Sequence, residues 1–162
     1  MRWLRSGSKQ ENDPTGQLEP VRILTPELAL DGFVAPTGQR VTDILLRGQD
    51  LAFLPRGADP APGNWVQISP SDLLIVIPPP LPRATGWQEP MQLANASVKV
   101  GPYQVSGTAH LRPGESLDDD FRVRQPFLPL TGASITAADG SVEEVDVAIV
   151  SLDNATEYGL SG

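Results

Sequence analysis

The chain contains no cysteine and only two lysines, Lys9 and Lys99. Without cysteine it can form neither a disulfide bond nor a catalytic thiolate, so thiol redox chemistry is excluded, and we expect a protein of the reducing cytoplasm. Twelve Lys and Arg stand against twenty Asp and Glu, which gives a formal charge of −8. This charge disfavours nucleic-acid binding, because phosphate contacts depend on clustered cations.

Long apolar runs are lacking as well. The most hydrophobic stretch, DLLIVI at residues 72–77, is stopped by Pro78, whereas a membrane-spanning helix needs about 20 apolar residues. Residues 1–20 contain no apolar run of signal-peptide length and are mostly polar. We therefore expect no membrane insertion, and we interpret residues 1–20 as a flexible N-terminal lead in which Trp3 is a candidate partner contact.

Proline and glycine are abundant, with seventeen and fifteen residues. Both interrupt long helices and favour short extended segments joined by turns. Because 40% of the residues are hydrophobic, the chain can nevertheless bury a core. The composition predicts a mainly β fold.

The two halves of the chain carry the same features in the same order. Residues 21–77 and 96–151 both contain an alternating strand, a turn with Pro and Gly, a short amphipathic piece, a Phe-Leu-Pro triplet and a second hairpin. A glycine, Gly32 or Gly107, interrupts each alternating strand and suggests a bulge or a close approach of two backbones. We interpret this order as an internal duplication.

The duplication predicts two tandem homologous units of barrel-like or sandwich-like form, at 21–77 and 96–162, joined by a proline-rich linker over 78–95. A unit of this size buries only about 60% of its unfolded surface, so a covalently attached partner adds core that it would lack alone. We expect an intramolecular pseudo-dimer whose two units are related by a pseudo-two-fold axis.

Each unit is expected to contain one short helix. RVTDILLRG has apolar residues at helical spacing, and ESLDDDF separates two apolar residues by four. Among the strand connections, Asp139-Gly140 predicts a tight hairpin turn, because Gly tolerates the positive φ that such turns require. In the first unit, NWVQI and DLLIVI are expected to pair as a hairpin.

The Phe-Leu-Pro triplets begin at Phe53 and Phe127. We expect both Phe side chains to enter equivalent cores, and each Pro to end or edge its strand. The residues that follow the triplets differ, since Arg56 stands in one unit and Leu130 in the other. This divergence makes both residues candidate partner contacts.

The second unit resembles a bacterial family of small domains of unknown function. The shared pattern is G-x-x-H-x-P-x-G-x-R-L-S-D followed by F-L-P-L-T-x-A, and it is carried by Gly107, His110, Gly114, Asp119 and the run 127–131. The chain departs from the pattern at Glu115, Ser116, Asp118 and Asp120, and at the position near Arg122 that the pattern gives to Asn. The resemblance implies a small β-rich domain and assigns no catalytic residue.

Two chemical alternatives remain open. His110 is the only histidine, and a small hydrolase would need it to face a nucleophile such as Ser106 or Ser116. Asp118, Asp119 and Asp120 provide clustered oxygen ligands of the kind that Ca²⁺ prefers. Against the hydrolase, the first unit has no histidine in the equivalent place. Against the metal, adjacent carboxylates point in different directions.

The acidic run Asp118–Asp120 fits better as the first turn of a short helix, where carboxylates interact favourably with the helix dipole and can pair with Arg122 or Arg124. Trp65 is expected to pack in the core. Trp87, beside the linker, is a candidate for the seam between units or for a partner contact.

We therefore expect a non-enzymatic interaction or scaffold module of a bacterial assembly, without a cofactor, that works through a protein partner. The alternative is a small hydrolase or a Ca²⁺-dependent domain that uses His110 and the acidic run.

Overall fold

The computed structural model describes residues 18–35, 41–79 and 92–161. The alternating segments of the sequence form strands, because side chains one residue apart point to opposite faces of a sheet. The strands are β1 (Glu19–Leu24), β2 (Ala29–Val34), β3 (Leu51–Pro55), β4 (Val66–Ile68), β5 (Ile75–Ile77), β6 (Gln92–Val100), β7 (Tyr103–Leu111), β8 (Phe127–Thr136), β9 (Val142–Ser151) and β10 (Ala155–Ser161). The helices are α1 (Val41–Leu46) and α2 (Asp119–Arg124), and two 3-10 turns occupy Pro62–Asn64 and Pro70–Asp72.

All ten strands belong to one antiparallel sheet, in the order β10-β6-β7-β8-β9-β5-β1-β2-β3-β4. Among the described residues, each half of the chain contributes five strands and one short helix, which lies between its second and third strands. The predictions of a mainly β fold and of one short helix in each half are confirmed. Strands β5 and β9 form the seam at which the two halves meet.

Two hydrophobic cores lie on opposite faces of this sheet. We call the cluster around α1 the N-terminal core and the cluster around α2 the C-terminal core. Consecutive residues of the central strands enter different cores, as Ile75 and Val76 do on β5, and Ile149 and Val150 do on β9. Because consecutive side chains point to opposite faces, the sheet is covered on both faces at the seam.

The Phe-Leu-Pro triplets do not play equivalent roles. Phe53 and Phe127 are both buried in the N-terminal core, so the expectation that they enter equivalent cores is wrong. Phe127 starts β8 near the seam, and the alternation of that strand sends Leu128 into the C-terminal core instead. Pro55 ends β3 as expected, whereas Pro129 is the third residue of the ten-residue β8 and pairs with Ile149.

Gly32 and Gly107 mark close approaches between the second and third strands of their halves, as the sequence suggested. A Cβ atom on Gly32 would overlap the carbonyl oxygen of Leu54 in β3. A Cβ on Gly107 would lie 3.0 Å from the Cβ of Leu130 in β8. The β7–β8 pairing also shifts register beside Gly107, which is the signature of a β-bulge.

The sequence predicts one of the strand connections correctly and another wrongly. The β8–β9 hairpin turns at Asp139-Gly140, where Gly140 has a φ of 89° and donates its N–H to the carbonyl of Ala137 at 2.9 Å. The expected hairpin between NWVQI and DLLIVI is wrong. Strand β4 pairs with β3, whereas β5 pairs with β1 and β9, so the chain leaves the edge of the sheet and returns to its centre.

The boundaries differ slightly from the expected ones. Strand β1 begins at Glu19 and β6 begins at Gln92, so the first strand starts within the expected lead and the sixth within the expected linker. Most of the lead and of the linker over 78–95 lies outside the described residues.

Two side chains form polar contacts between the two halves near the seam. Arg22 on β1 forms ion pairs with Asp31 on β2 and with Glu143 on β9. Asn154, in the turn between β9 and β10, donates from Nδ2 to the carbonyls of Ser71 at 3.0 Å and Leu73 at 2.9 Å. Since both carbonyls belong to the first half, the Asn154 amide joins the two halves directly.

Candidate interaction surface

Strand β10 forms one edge of the sheet. It pairs on one side with β6, from Ala155 opposite Val100 to Ser161 opposite Asn95, and the strand order places no described strand on its other side. An edge strand of seven residues presents a row of backbone N–H and C=O groups that can pair with another extended segment. The opposite edge, β4, has only three residues and offers a much shorter row.

A shallow open depression of about 410 Å³ lies beside this edge on the face away from the C-terminal core. Its polar wall includes Lys99 and Gln104, and Gln104 Nε2 donates to Ser97 Oγ at 2.7 Å. Glu157 and Leu160 of β10 complete the rim, and Leu160 is 38% exposed. A depression of this form suits the side chains of an extended segment better than an enclosed small molecule, because ligand pockets bury most of their occupant.

The acidic run of the sequence begins helix α2. Asp118 is the N-cap residue, and its Oδ1 accepts a hydrogen bond from the backbone N–H of Phe121 at 2.9 Å. Asp119 and Asp120 occupy the first turn, while Phe121 is buried in the C-terminal core and anchors the helix. The prediction that the run forms a helical first turn is confirmed.

The arginines of α2 pair differently from the expectation. Arg122 lies 3.9 Å from Asp153, and Arg124 lies 3.4 Å from Glu115, so neither ion pair involves the run Asp118–Asp120. The hydroxyl of Tyr158 on β10 instead donates to Asp119 Oδ1 at 3.5 Å. This contact places the acidic run beside the β10 edge.

No group of three or more His, Cys, Asp or Glu that could hold a metal ion occurs within residues 18–35, 41–79 and 92–161. The three consecutive carboxylates diverge along the helix, and Asp118 is already engaged as the cap. The Ca²⁺ alternative at Asp118, Asp119 and Asp120 stays a prediction.

His110 lies on β7 and is exposed. Its Nε2 lies 2.8 Å from the hydroxyl of Thr131 on β8, which in turn lies 3.5 Å from the carbonyl of Thr108. Ser106 is four residues away on the same strand, about 13 Å along it. The hydroxyl of Ser116 donates to Asp118 at 3.3 Å. These contacts do not join His110 to either candidate nucleophile.

The expected partner contacts have different fates. Arg56 is exposed, and its guanidinium lies 5.9 Å from the centroid of the Phe33 ring. Leu130 is fully buried in the C-terminal core, which corrects the expectation that it faces a partner.

Trp65 is only half-buried, with Nε1 donating to the carbonyl of Pro60 at 3.5 Å, so the expectation of a core position is also corrected. Trp3 and Trp87 lie outside the described residues.

Sequence reasoning missed strand β10, because the repeat ends at residue 151 and the stretch that follows contains glycine and polar residues. The signal was the alternation in ATEYGLS, where Tyr158 packs against the C-terminal core and the flanking Glu157 is exposed. Only the pairing with β6 makes this weak pattern a strand.

No protein-family model, curated protein or solved structure matches the chain. The resemblance of the second unit to a bacterial domain family therefore stays a prediction. Among the described residues, no helix has the length and apolar character needed to cross a membrane.

Proposed function

We propose that this protein is a non-enzymatic interaction module that binds an extended segment of a protein partner along the free edge of β10. The observation that supports this proposal is that β10 is a seven-residue edge strand with no described strand on its outer side. Backbone hydrogen bonds of the added strand provide affinity, and the adjacent depression provides selectivity for its side chains.

The proposal includes two tandem homologous units. Support comes from the strand order, because β5-β1-β2-β3-β4 and β10-β6-β7-β8-β9 both place the last strand of a half beside its first. The orders run in the same direction along the sheet, which favours a head-to-tail relation. The pseudo-two-fold axis stays a prediction, and superposition of the halves in an experimental structure tests it: a rotation near 180° without translation along the rotation axis supports the axis, whereas a large translation along it, or another rotation, contradicts it.

A module with this architecture suits a scaffold or accessory component of a bacterial assembly. The absence of cysteine supports a cytoplasmic site of action. The seam supports a rigid pseudo-dimer, because the central strands contribute side chains to both cores.

Site-specific photocrosslinking tests the proposed edge. A benzoylphenylalanine at the exposed Thr156 on β10 should crosslink one stoichiometric partner in the native host. The matched control places the same probe at Val142, which is 58% exposed on β9, and should capture no such partner. Equal capture at both positions, or no capture at Thr156, would contradict the proposed function.

A second variant separates binding from catalysis. His110→Ala should leave the Thr156 crosslink unchanged, because His110 lies on β7 and not on the edge strand. Loss of a hydrolytic activity in this variant, with the crosslink intact, would favour the hydrolase alternative.

A further inference from the structure

Among the described strands, the two edges of the sheet hold the same places in their halves as the two strands of the seam. Strand β5 is the last strand of the first half and pairs with β1, and β10 is the last strand of the second half and pairs with β6. Strand β4 pairs with β3 as β9 pairs with β8. The edges β10 and β4 are therefore the counterparts of β5 and β9, which pair with each other within one molecule.

Strand pairing identifies the matching positions on β5 and β10. Ile23 and Val98 are counterparts, because each pairs with the residue seven positions later in the hairpins β1–β2 and β6–β7. On its other side Ile23 pairs with Val76, and Val98 pairs with Tyr158. Tyr158 on β10 is therefore the counterpart of Val76 on β5.

The strand glycines match β3 with β8 in the same way. A Cβ on Gly32 would overlap the carbonyl oxygen of Leu54, and a Cβ on Gly107 would lie 3.1 Å from the carbonyl oxygen of Thr131. Leu54 and Thr131 therefore occupy matching positions on the third strand of each half.

This match extends to β4 and β9. Leu51 and Leu128 lie three residues before the matched carbonyls and pair with Ile68 on β4 and with Val150 on β9. The first pair lies in the N-terminal core and the second in the C-terminal core, so each pair is buried in the core of its own half. Ile68 on β4 is therefore the counterpart of Val150 on β9.

The register of the seam can now be transferred to a contact between two molecules. At the seam, Val150 pairs with Ile75, the residue before Val76. The same register places Ile68 of one copy opposite Glu157 of another, because Glu157 is the residue before Tyr158. The pairs that follow in antiparallel order are Gln67 with Tyr158, Val66 with Gly159, and Trp65 with Leu160.

Strand direction allows this contact without turning either molecule over. Every neighbouring pair in the described sheet is antiparallel, so the first and the last of its ten strands run in opposite directions. A second copy that is displaced along the sheet thus presents β4 antiparallel to β10. The sheet then continues from one molecule into the next with both of its faces preserved.

The side chains at the transferred register complement each other. Val66 is 46% exposed, and no described atom lies within 4 Å of a Cβ position on Gly159, which stands opposite it. Leu160 is 38% exposed, and the half-buried Trp65 opposite it offers an aromatic surface. The contact would remove Val66 and Leu160 from water, and burial of apolar surface is the main driving force of protein association.

We infer that the partner at the β10 edge is a second copy of this chain, which adds the segment from Trp65 to Ile68 in a head-to-tail contact. This inference rests on the proposed function, since it takes β10 as the docking edge. Each molecule uses β10 toward one neighbour and β4 toward another. Such a heterologous contact continues until it closes into a ring or extends as a filament.

Analytical ultracentrifugation of the full-length protein tests the mode of association. Raising the concentration of the wild type should give species larger than a dimer. Val66→Lys and Leu160→Lys should each weaken association at least about tenfold, because the contact would enclose a charge. The matched control is Val142→Lys, at a position that is 58% exposed on β9 and outside both edges, which should leave association unchanged.

Mixing the two edge variants distinguishes a head-to-tail contact from a symmetric one. Val66→Lys keeps an intact β10 and Leu160→Lys keeps an intact β4, so their equimolar mixture should form a dimer and nothing larger. Association of the wild type that stops at a dimer and survives in Val66→Lys would overturn the inference, since β10 would then pair with β10 of the second copy. A wild type that stays monomeric at every concentration would also overturn it.

The absence of cysteine allows a direct test of the register. Val66→Cys in one copy and Gly159→Cys in another should form a disulfide, because opposite residues of antiparallel strands have Cα atoms within bridging distance. Thr156→Cys is the matched control on the same strand, about 10 Å from position 159. The first combination should crosslink at least about tenfold faster than Val66→Cys with Thr156→Cys. Equal rates would overturn the inference.

The two proposals fail in different ways. A benzoylphenylalanine at Thr156 that captures only a different protein would overturn the inference of a second copy and leave the proposed function intact. Capture of a second copy through its residues 65–68 would support both proposals. Capture of no protein at all would overturn the proposed function itself.

Discussion

At the scale of single residues, Asn154 joins the two halves of the chain through its side chain. One amide nitrogen serves two carbonyls of the first half, on Ser71 and Leu73. Removing a donor leaves a partly buried acceptor without its hydrogen bond, which costs more than the bond itself contributes.

Asn154→Ala should therefore lower the free energy of unfolding by about 1–3 kcal/mol. Asn154→Asp should lower it further, because the carboxylate would face two carbonyl oxygens. Urea denaturation measures both changes. Asn64→Ala is the control, since Asn64 Nδ2 is exposed and donates only to Asp59 O, so its cost should stay below about 1 kcal/mol. Equal costs at the two positions would contradict the role of Asn154.

Asp139 shows a local electrostatic effect in the β8–β9 turn. The hydroxyl of Ser141 donates to Asp139 Oδ1 at 2.6 Å and its backbone N–H does so at 2.9 Å, and these bonds lower the pKa of Asp139 from its ordinary 3.8. Because the pKa is lower in the folded state, the stabilisation is present above the unfolded pKa. It is lost as the pH falls through the folded pKa.

NMR titration of the Asp139 carboxyl should accordingly give a pKa below 3.8, and Ser141→Ala should raise that pKa toward 3.8. Ser116→Ala provides the control, since this serine contacts Asp118 and not Asp139. An unchanged Asp139 pKa in Ser141→Ala would show that the hydroxyl is not the principal cause.

At the scale of elements, the second and third strands of each half approach each other closely at a glycine, Gly32 between β2 and β3 and Gly107 between β7 and β8. The sequence predicts this feature, because a glycine inside an alternating strand commonly marks a bulge or a close backbone contact. It cannot predict how tight each approach is, since that depends on the register of a distant strand. The structure ranks the two sites, with Gly32 against a backbone carbonyl and Gly107 at 3.0 Å from a side-chain atom.

Gly32→Ala should thus destabilise the protein by about 3 kcal/mol or more, and Gly107→Ala by about 1–3 kcal/mol. Gly63→Ala is the matched control, because nothing lies within 4 Å of a Cβ at that position and the change should be nearly neutral. Thermal unfolding of the three variants gives the order. A cost at Gly32 no larger than at Gly63 would contradict the close approach.

Helix α2 shows how far local sequence reasoning extends toward the candidate site. The acidic run predicts the first turn of the helix because its dipole and capping interactions are local. The ion pairs of Arg122 and Arg124 reach Asp153 and Glu115, which the fold brings near and the spacing does not reveal. The free edge of β10 is hidden for the same reason, because it is defined by pairing with β6.

At the scale of the whole molecule, the two halves share their cores. The sequence predicts the class of most elements, since class depends on periodicity and turn residues, but it misses strand β10. It predicts the core partners poorly, as the shared burial of Phe53 and Phe127 shows. The pairing of β5 with β9 determines which face of the sheet each of these residues occupies, and no local sequence pattern specifies that pairing.

Substitution at the seam should unfold both halves together. Ile75→Ala removes a fully buried side chain of the first half from the C-terminal core and should cost about 2–5 kcal/mol. Methyl NMR signals of Val34 and Val105, one in each core, should lose intensity at the same urea concentration. Val142→Ala, at an exposed position, serves as the control. Separate transitions for the two methyl signals would contradict a shared seam.

The covering of β5 on both faces also limits how this chain can change over evolution. Inserting or deleting one residue in β5 would exchange the faces of Ile75 and Val76, and each side chain would meet packing shaped for the other. Surface loops tolerate length changes because they have no such alternation to preserve. Among natural variants of this protein, length differences should therefore accumulate in the connections and be absent from the three-residue strand at the centre of the sheet.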